Sequence, residues 1–257
     1  MHVVAVDKLF IEDLTYEDLN SFLSDWCVVI VPVGSMESHG PHLPLSTDTM
    51  IAEAIALRAA VKLKSLGFRV LIGPRIRFGC SGEHLNFPGT ISLCCESMIE
   101  LIYDVCKSLA NCGFKNILLL NGHGGNEAPL KAAAIKLRDE DSIMVAIVNW
   151  FDLISEGFTD HAGPMETSII INLNFKPSTD HREVPAVKAT SKYVSIKSKV
   201  QIPLMDMWSH TGGMGYLGDP SKASLDLGER LLDEASENLV KYIIEAKSRG
   251  YLFGRPF

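Results

Sequence analysis

An α/β fold built on a mainly parallel sheet is the class this sequence predicts, and three observations predict it. Apolar, β-branched runs alternate with longer amphipathic segments along the chain. The first run, Cys27–Val33 (CVVIVPV), is continuous rather than alternating, the pattern of a strand buried on both faces. Strand, loop, helix and strand then repeat, which reads as successive βαβ units.

The elements follow in order. After Cys27–Val33 the chain turns at Gly34-Ser35 into a polar loop. Ser46 or Thr47 can cap a helix that runs to about Ser65, where Gly67 ends it. Phe68–Ile72 is a short second strand, and the Gly- and Pro-rich stretch from Gly73 to Thr90 predicts a long ordered loop. Glu96–Asn111 has helical periodicity and Gly113 closes it. Asn116–Leu120 is a third strand that leads directly into GHGGN, Glu127–Arg138 a helix and Ile143–Val148 a fourth strand. From Asn174 to Gly218 the pattern is irregular, with strand-like pieces at Tyr193–Ile196 and Val200–Ile202. Ser221 is placed to cap a last long helix, Lys222–Ser248.

The chain has 257 residues, enough to bury a large core, and no linker, internal repeat or low-complexity stretch divides it, so residues 1–257 read as one domain. Hydrophobic residues make up 47% and charged residues 21%, ordinary for a globular enzyme. A net charge of −7 without any Lys/Arg run argues against nucleic acid as a partner. No apolar run approaches the roughly 20 residues needed to span a bilayer, and MHVVAVDKLFIEDL lacks the layout of a signal peptide, so a cytoplasmic location is expected. The six cysteines, Cys27, Cys80, Cys94, Cys95, Cys106 and Cys112, show no C-x-x-C spacing and read mostly as small buried hydrophobes.

Five residues suggest chemistry. Glu37 and His39 lie in the loop that leaves the first strand, and Asp48 opens the next helix. His123 follows the third strand directly, and Glu166 lies in HAGPMETS. In an open parallel sheet the loops after the strands gather at one edge, where ligands bind. Three carboxylates and two imidazoles converging there suit a pair of divalent ions such as Zn, Mn or Fe, with Asp48 as the bridge. Each residue also has a plainer reading: Asp48 as an acid favoured by the helix dipole, His123 as a hydrogen-bonded turn residue, Glu37 as an exposed side chain.

The stretches VGSMESHGPHLPLSTD, FGCSGEHLNFPGT, LLLNGHGGNE, HAGPMETS and GYLGDPSKAS occur in an order that resembles the creatininase (creatinine amidohydrolase) family, from about Val31 to Ser224. The resemblance implies a three-layer α/β/α sandwich around the parallel sheet, a binuclear metal site, hydrolysis of a carbon–nitrogen bond, and a homo-oligomer, often a hexamer. By position it assigns Glu37 and His123 to one metal, His39 to the other and Asp48 between them, with His161 as the catalytic histidine. It departs in one place. The family's metal-binding glutamate two residues after the histidine is Gly125 here, and Glu166 is the replacement expected. The aromatic that helps hold creatinine is replaced by Gly124. Ser81, Glu83 and His84 lie in a segment that contributes to the family's substrate pocket, and Gly124 and Trp208 are further candidates for its wall. His42 is a neighbour of the metal segment without a ligand position, and His210 belongs with Trp208 to a wall, a lid or a subunit contact.

The function expected is a metal-dependent amidohydrolase that uses a metal-activated water on a small cyclic amide or formamide. Within the family, glycine after the metal-binding histidine resembles members outside true creatininase. Those include a formylaminopyrimidine-nucleotide deformylase of flavin and deazaflavin synthesis, whose phosphate Arg75, Arg77 or Lys222 could meet, and a branch that processes the mycofactocin peptide. A non-catalytic metal- or ligand-binding protein that kept the fold is the remaining alternative. Gly213-x-Gly215-x-x-Gly218 spells a dinucleotide fingerprint, but it follows MWSHTG rather than a buried strand, so no nucleotide cofactor is expected.

Overall fold

Among the described residues four strands form in sequence order: β1 (Cys27–Val33), β2 (Arg69–Ile72), β3 (Asn116–Asn121) and β4 (Val145–Asn149). The computed structural model describes residues 9–23, 26–157, 160–176, 179–189 and 206–250. The strands pair only in parallel, in the order β2-β1-β3-β4. β1 and β3 are central, and every residue of both is buried, which is why their sequences are continuously apolar.

The period-2 alternation of the strands sorts their side chains to two faces. Val28, Ile30, Val70, Ile72, Leu118 and Leu120 pack under helices α2 (Thr47–Ser65), α5 (Pro164–Asn172) and α7 (Leu225–Ser248). Cys27, Val29, Val31, Leu71, Ile117 and Leu119 pack under α3 (Cys95–Asn111) and α4 (Glu127–Asp141). The result is a three-layer α/β/α arrangement, as expected. α2 connects β1 to β2 in one direction along the sheet, while α3 and α4 connect strands in the other. Right-handed crossovers place helices on opposite faces when the direction reverses. That reversal falls between β1 and β3, the switch point where the crevice of an open parallel sheet lies. Each fully buried side chain such as Ile30, Ile55 or Leu231 contributes about 1.5–3 kcal/mol through removal from water.

Two short helices, α1 (Tyr16–Leu23) and α6 (Met207–Thr211), also form among the described residues. Several points differ from expectation, among them the fourth strand, which runs Val145–Asn149 rather than Ile143–Val148. Ser46 occupies the N-cap of α2 without a side-chain cap bond, and the Thr47 hydroxyl instead donates to the Pro44 carbonyl at 2.7 Å. The last helix starts at Leu225, not Lys222: Pro220–Lys222 forms a separate 3-10 turn, and Ser224, not Ser221, accepts from the Leu227 amide. α1, α5 and α6 were not anticipated. The strand pieces expected at Tyr193–Ile196 and Val200–Ile202 lie outside the described residues. Among the described residues no helix is long and apolar enough to cross a membrane.

Candidate active site

The loops after β1 and β3 and the first turns of α2 and α5 meet at the carboxyl edge of the sheet. Close backbone contact brings Asp48 there. A Cβ at Gly122, just past β3, would lie 2.4 Å from the Asp48 carbonyl oxygen, so glycine alone lets α2 come down onto the strand ends. Asp48 and Glu166 occupy equivalent places, each an acid in the first turn of a helix whose amino end faces the site.

The five residues predicted from sequence come together here, and all are buried. Asp48 Oδ1 lies 3.0 Å from His39 Nε2, and Asp48 Oδ2 lies 3.3 Å from His123 Nδ1. Glu37 Oε2 is 3.2 Å from the same His123 nitrogen, and Glu166 Oε2 is 3.9 Å from His39 Nε2. Two three-residue groups result, Glu37–Asp48–His123 and His39–Asp48–Glu166, with the donor atoms of each within 4.8 Å of one another. Asp48 is the member common to both. A third group, Glu37–His39–His161, brings the predicted catalytic histidine alongside.

Hydrogen bonds behind the cluster set which nitrogens face it. His123 Nε2 lies 2.9 Å from the Cys80 carbonyl oxygen, and His39 Nδ1 lies 3.2 Å from the Glu37 carbonyl oxygen. Each carbonyl can only accept, so these nitrogens carry the protons in the neutral rings. The lone pairs of His123 Nδ1 and His39 Nε2 are thereby left for the carboxylate side, the usual arrangement behind a metal-binding imidazole. Glu37 Oε1 and Asp48 Oδ2 are buried without a hydrogen-bond partner. Such oxygens are costly unless something cationic meets them. Three carboxylates and two imidazoles with no sulfur donor therefore fit a pair of divalent cations of the Zn, Mn or Fe kind.

Without added cations the cluster balances its charge with protons. Burial disfavours a charged His39 or His123, but the surrounding carboxylates outweigh it and raise both to about 10. Burial, with the nearby Asp48 and Asp160 charges, pushes Glu166 up to about 8. Asp48 is raised by burial and by Glu37. Burial alone would raise Glu37 too, yet His123, His84 and His39 hold it well below the usual carboxylate range. His161 moves the other way: burial, and then the charge of His39, keep it well below the ordinary histidine value. Its Nε2 donates to the Ser38 carbonyl at 2.9 Å, which leaves Nδ1 unprotonated.

Gly125 cannot host the glutamate missing from its position. A Cβ there would lie 2.2 Å from the Cys80 carbonyl oxygen and 2.5 Å from His123 Nε2. Ser81 faces inward, and its hydroxyl donates to Glu37 Oε2. His84 stands 3.5 Å from Glu37 Oε1 with its ring 4.7 Å from that of His161. Burial lowers it to about 4, so it is neutral. Glu83 reaches 4.0 Å from His123 Nε2. Gly124 is exposed and faces open space. Trp208, 47% exposed, is not part of the cluster; it covers Phe87 at 5.0 Å between ring centroids, and Phe87 in turn neighbours His84. His210 lies on the same short helix, α6.

Sequence reasoning did not assign Asn121 and Asn126, which tie the loops together. Asn121 donates to the His123 carbonyl at 2.7 Å, while Asn126 accepts from the Cys80 amide at 2.9 Å and donates to the Gly34 carbonyl at 3.0 Å. The signal was present in NGHGGN, whose asparagines flank a turn that needs local side-chain bonds. No cysteine belongs to the three groups, and burial pushes the Cys27 and Cys106 thiols up to about 12.

The sequence profile described as "Creatininase: Creatinine amidohydrolase" matches residues 12–243. A mycofactocin precursor peptide peptidase of Mycobacterium ulcerans (strain Agy99) is 32% identical over 229 residues, 86% of either chain. Creatinine amidohydrolase of Pseudomonas putida is 25% identical over 268 residues, covering 93% of this chain and 97% of that one. A solved structure titled "Creatininase Mn" superposes with a TM-score of 0.77 at 24% identity, covering 92% of this chain and 98% of its own, and so shares the fold. By profile, relatives and architecture alike, the chain belongs to the creatininase family of hydrolases.

Proposed function

We propose that this protein is a binuclear metal-dependent amidohydrolase that cleaves a carbon–nitrogen bond in a small cyclic amide or formamide. The sharing of Asp48 between the two donor groups carries this reading. Glu37, Asp48 and His123 would hold one divalent cation, and His39, Asp48 and Glu166 the other. Cations held there would supply an activated water and polarisation of the amide carbonyl. Ser81 keeps Glu37 in place, and the Cys80 carbonyl fixes the tautomer of His123. His161, neutral and unprotonated at Nδ1, accepts a proton and delivers it to the leaving nitrogen. Glu83 and His84 from the β2–α3 loop, Gly124 from the turn after β3 and Trp208 on α6 would contact the substrate. A homo-oligomer, hexameric by family resemblance, goes with this reading and is tested by light scattering.

A short peptide amide is the second substrate reading. Its support is that the mycofactocin precursor peptide peptidase is more similar to this chain than the creatinine amidohydrolase is. The open space at Gly124, where a creatinine-holding aromatic would stand, favours a substrate other than creatinine. A nucleotide formamide has less support. Arg75 is engaged by Glu12 and Glu53, and Lys222 by Asp219 at 3.4 Å, so these two candidate phosphate-binding cations already have acidic partners.

Metal analysis of the purified protein, then a panel of creatinine, formamides, lactams and short peptides with Mn-, Fe- or Zn-loaded protein, tests the proposal. Two metals per chain and turnover of one amide class are expected. Less than one metal per chain, with no gain on adding these ions, would exclude it.

A further inference from the structure

His42 is fully buried beside the candidate site yet contributes no donor atom to the three groups there. Its Nε2 donates to the Ala162 carbonyl at 2.9 Å, and its ring stands edge-on to Tyr216 at 5.1 Å. Burial lowers its basicity to about 4, so the ring is neutral and carries a single N–H.

Ala162 is an unusual residue to find at the far end of that bond. It is fully buried and has a φ of 51°, one of three non-glycine residues with positive φ among the described residues. An L side chain adopts this left-handed conformation only at a cost, and such a residue persists where its surroundings over-determine it. Here both ends of Ala162 are held. Its N–H donates to Glu166 Oε2 at 2.6 Å, while its carbonyl accepts from His42 and, at 3.3 Å, from the Thr167 hydroxyl. On its amino side, His161 is pinned by paired backbone bonds with Leu217 at 3.1 and 2.8 Å. On its carboxyl side, Gly163 leads into α5 and Glu166. The twist at Ala162 therefore fixes how the chain passes from His161 to Glu166.

We propose that His42 is a positioning residue: by gripping the Ala162 carbonyl it holds the left-handed twist that aims His161 and Glu166 into the site together. The proposal rests on the reading that those two side chains act there, but it has a consequence independent of any metal. His42→Phe keeps the ring against Tyr216 and removes the N–H. His42→Gln keeps a donor. Ala162→Gly removes the cost of the left-handed conformation, so glycine needs no clamp there.

Amide exchange at Ala162 in the metal-free protein should speed up at least about tenfold in His42→Phe, since the N–H is freed when the twist relaxes. In metal-loaded protein, His42→Phe should lower affinity for the second metal and kcat by about 10–100-fold, the usual cost of losing a supporting bond. His42→Gln should stay near wild type, and His42→Phe/Ala162→Gly should recover most of the lost affinity and rate. That recovery would not occur if His42 only filled space. Unchanged exchange at Ala162 in His42→Phe would overturn the proposal whether or not the protein binds metal. Failure of both the glutamine and the glycine variants to restore the site would overturn it as well. Wild-type protein that takes up no metal would sink the metal reading alone, leaving the exchange measurement to decide the clamp.

Discussion

Asp48 Oδ1 and His39 Nε2 meet at 3.0 Å, and both residues are almost wholly buried. The other Asp48 oxygen turns to His123, so one carboxylate serves two imidazoles. No other residue belongs to both the Glu37–Asp48–His123 and the His39–Asp48–Glu166 group. Asp48→Asn keeps the shape but removes the charge and one acceptor. Metal content should fall to one ion per chain or fewer. Turnover should drop by more than about 100-fold, beyond what loss of a mere supporting partner costs. Elemental analysis and steady-state kinetics check this; two retained metals would show that Asp48 does not bridge.

Proton release accompanies metal uptake. His39 and His123, each raised to about 10, and Glu166, raised to about 8, all hold protons at pH 7 when no cation is present. Cations bind only the deprotonated ligands, so uptake at pH 7 should release on the order of three protons, and affinity should rise with pH. The linkage to stability has a definite sign. The folded values of His39 and His123 exceed their unfolded value of 6.5. Their contribution is therefore complete below 6.5 and is lost as pH climbs through about 10. The raised Glu166 acts in the same direction. The metal-free protein should melt at lower temperature at pH 10 than at pH 7. Calorimetric titration in buffers of different ionisation heat measures the protons; uptake without release would refute the charge balance.

Much of this was written locally in the chain. β1 and β3 are apolar at nearly every position because helices cover both faces, and the ligand-bearing loops follow them directly, so strand ends and site could be read together. α5 was illegible for the opposite reason. Its residues Glu166 to Ile170 are all buried, so no polar face gives a helical period, and the Ile-Ile-Ile run reads as strand. Proline at its first position and an acid in its first turn were the available signals. Ser81 donating to Glu37 joins residues 44 apart, and His42 reaching Ala162 joins residues 120 apart. Contacts of that kind depend on how loops pack, which no spacing encodes.

Adjacent glycines in GHGGN should respond differently to alanine. At Gly125 a methyl group would strike the Cys80 carbonyl and the His123 ring, whereas at Gly124 it meets nothing within 4 Å. Gly125→Ala should destabilise the protein by about 1–3 kcal/mol through overpacking, a loss of several degrees in Tm. Gly124→Ala should stay within about 0.5 kcal/mol of wild type. Thermal unfolding of the two variants side by side reads the difference. Equal Tm values would mean that the Cys80 loop moves aside, and that a glutamate at position 125 could be accommodated after all.

His161 separates proton transfer from metal binding. Its Nε2 is committed to the Ser38 carbonyl, while its ring packs 4.4 Å from that of His39. Burial and the charge of His39 keep it neutral, and added cations would depress it further, so Nδ1 stays available as a base through neutral pH. His161→Ala should therefore retain both metals yet lose about 10²–10⁴-fold in kcat, the range of general acid–base catalysis. The acidic limb of the wild-type rate profile, which marks protonation of this ring, should lie well below pH 6.5 and vanish in the variant. Because His161 also falls within reach of Glu37 and His39, metal content decides between two roles. Loss of a metal along with activity would make it a ligand, and unchanged turnover would remove it from the reaction; only activity lost with both metals retained makes it the proton carrier.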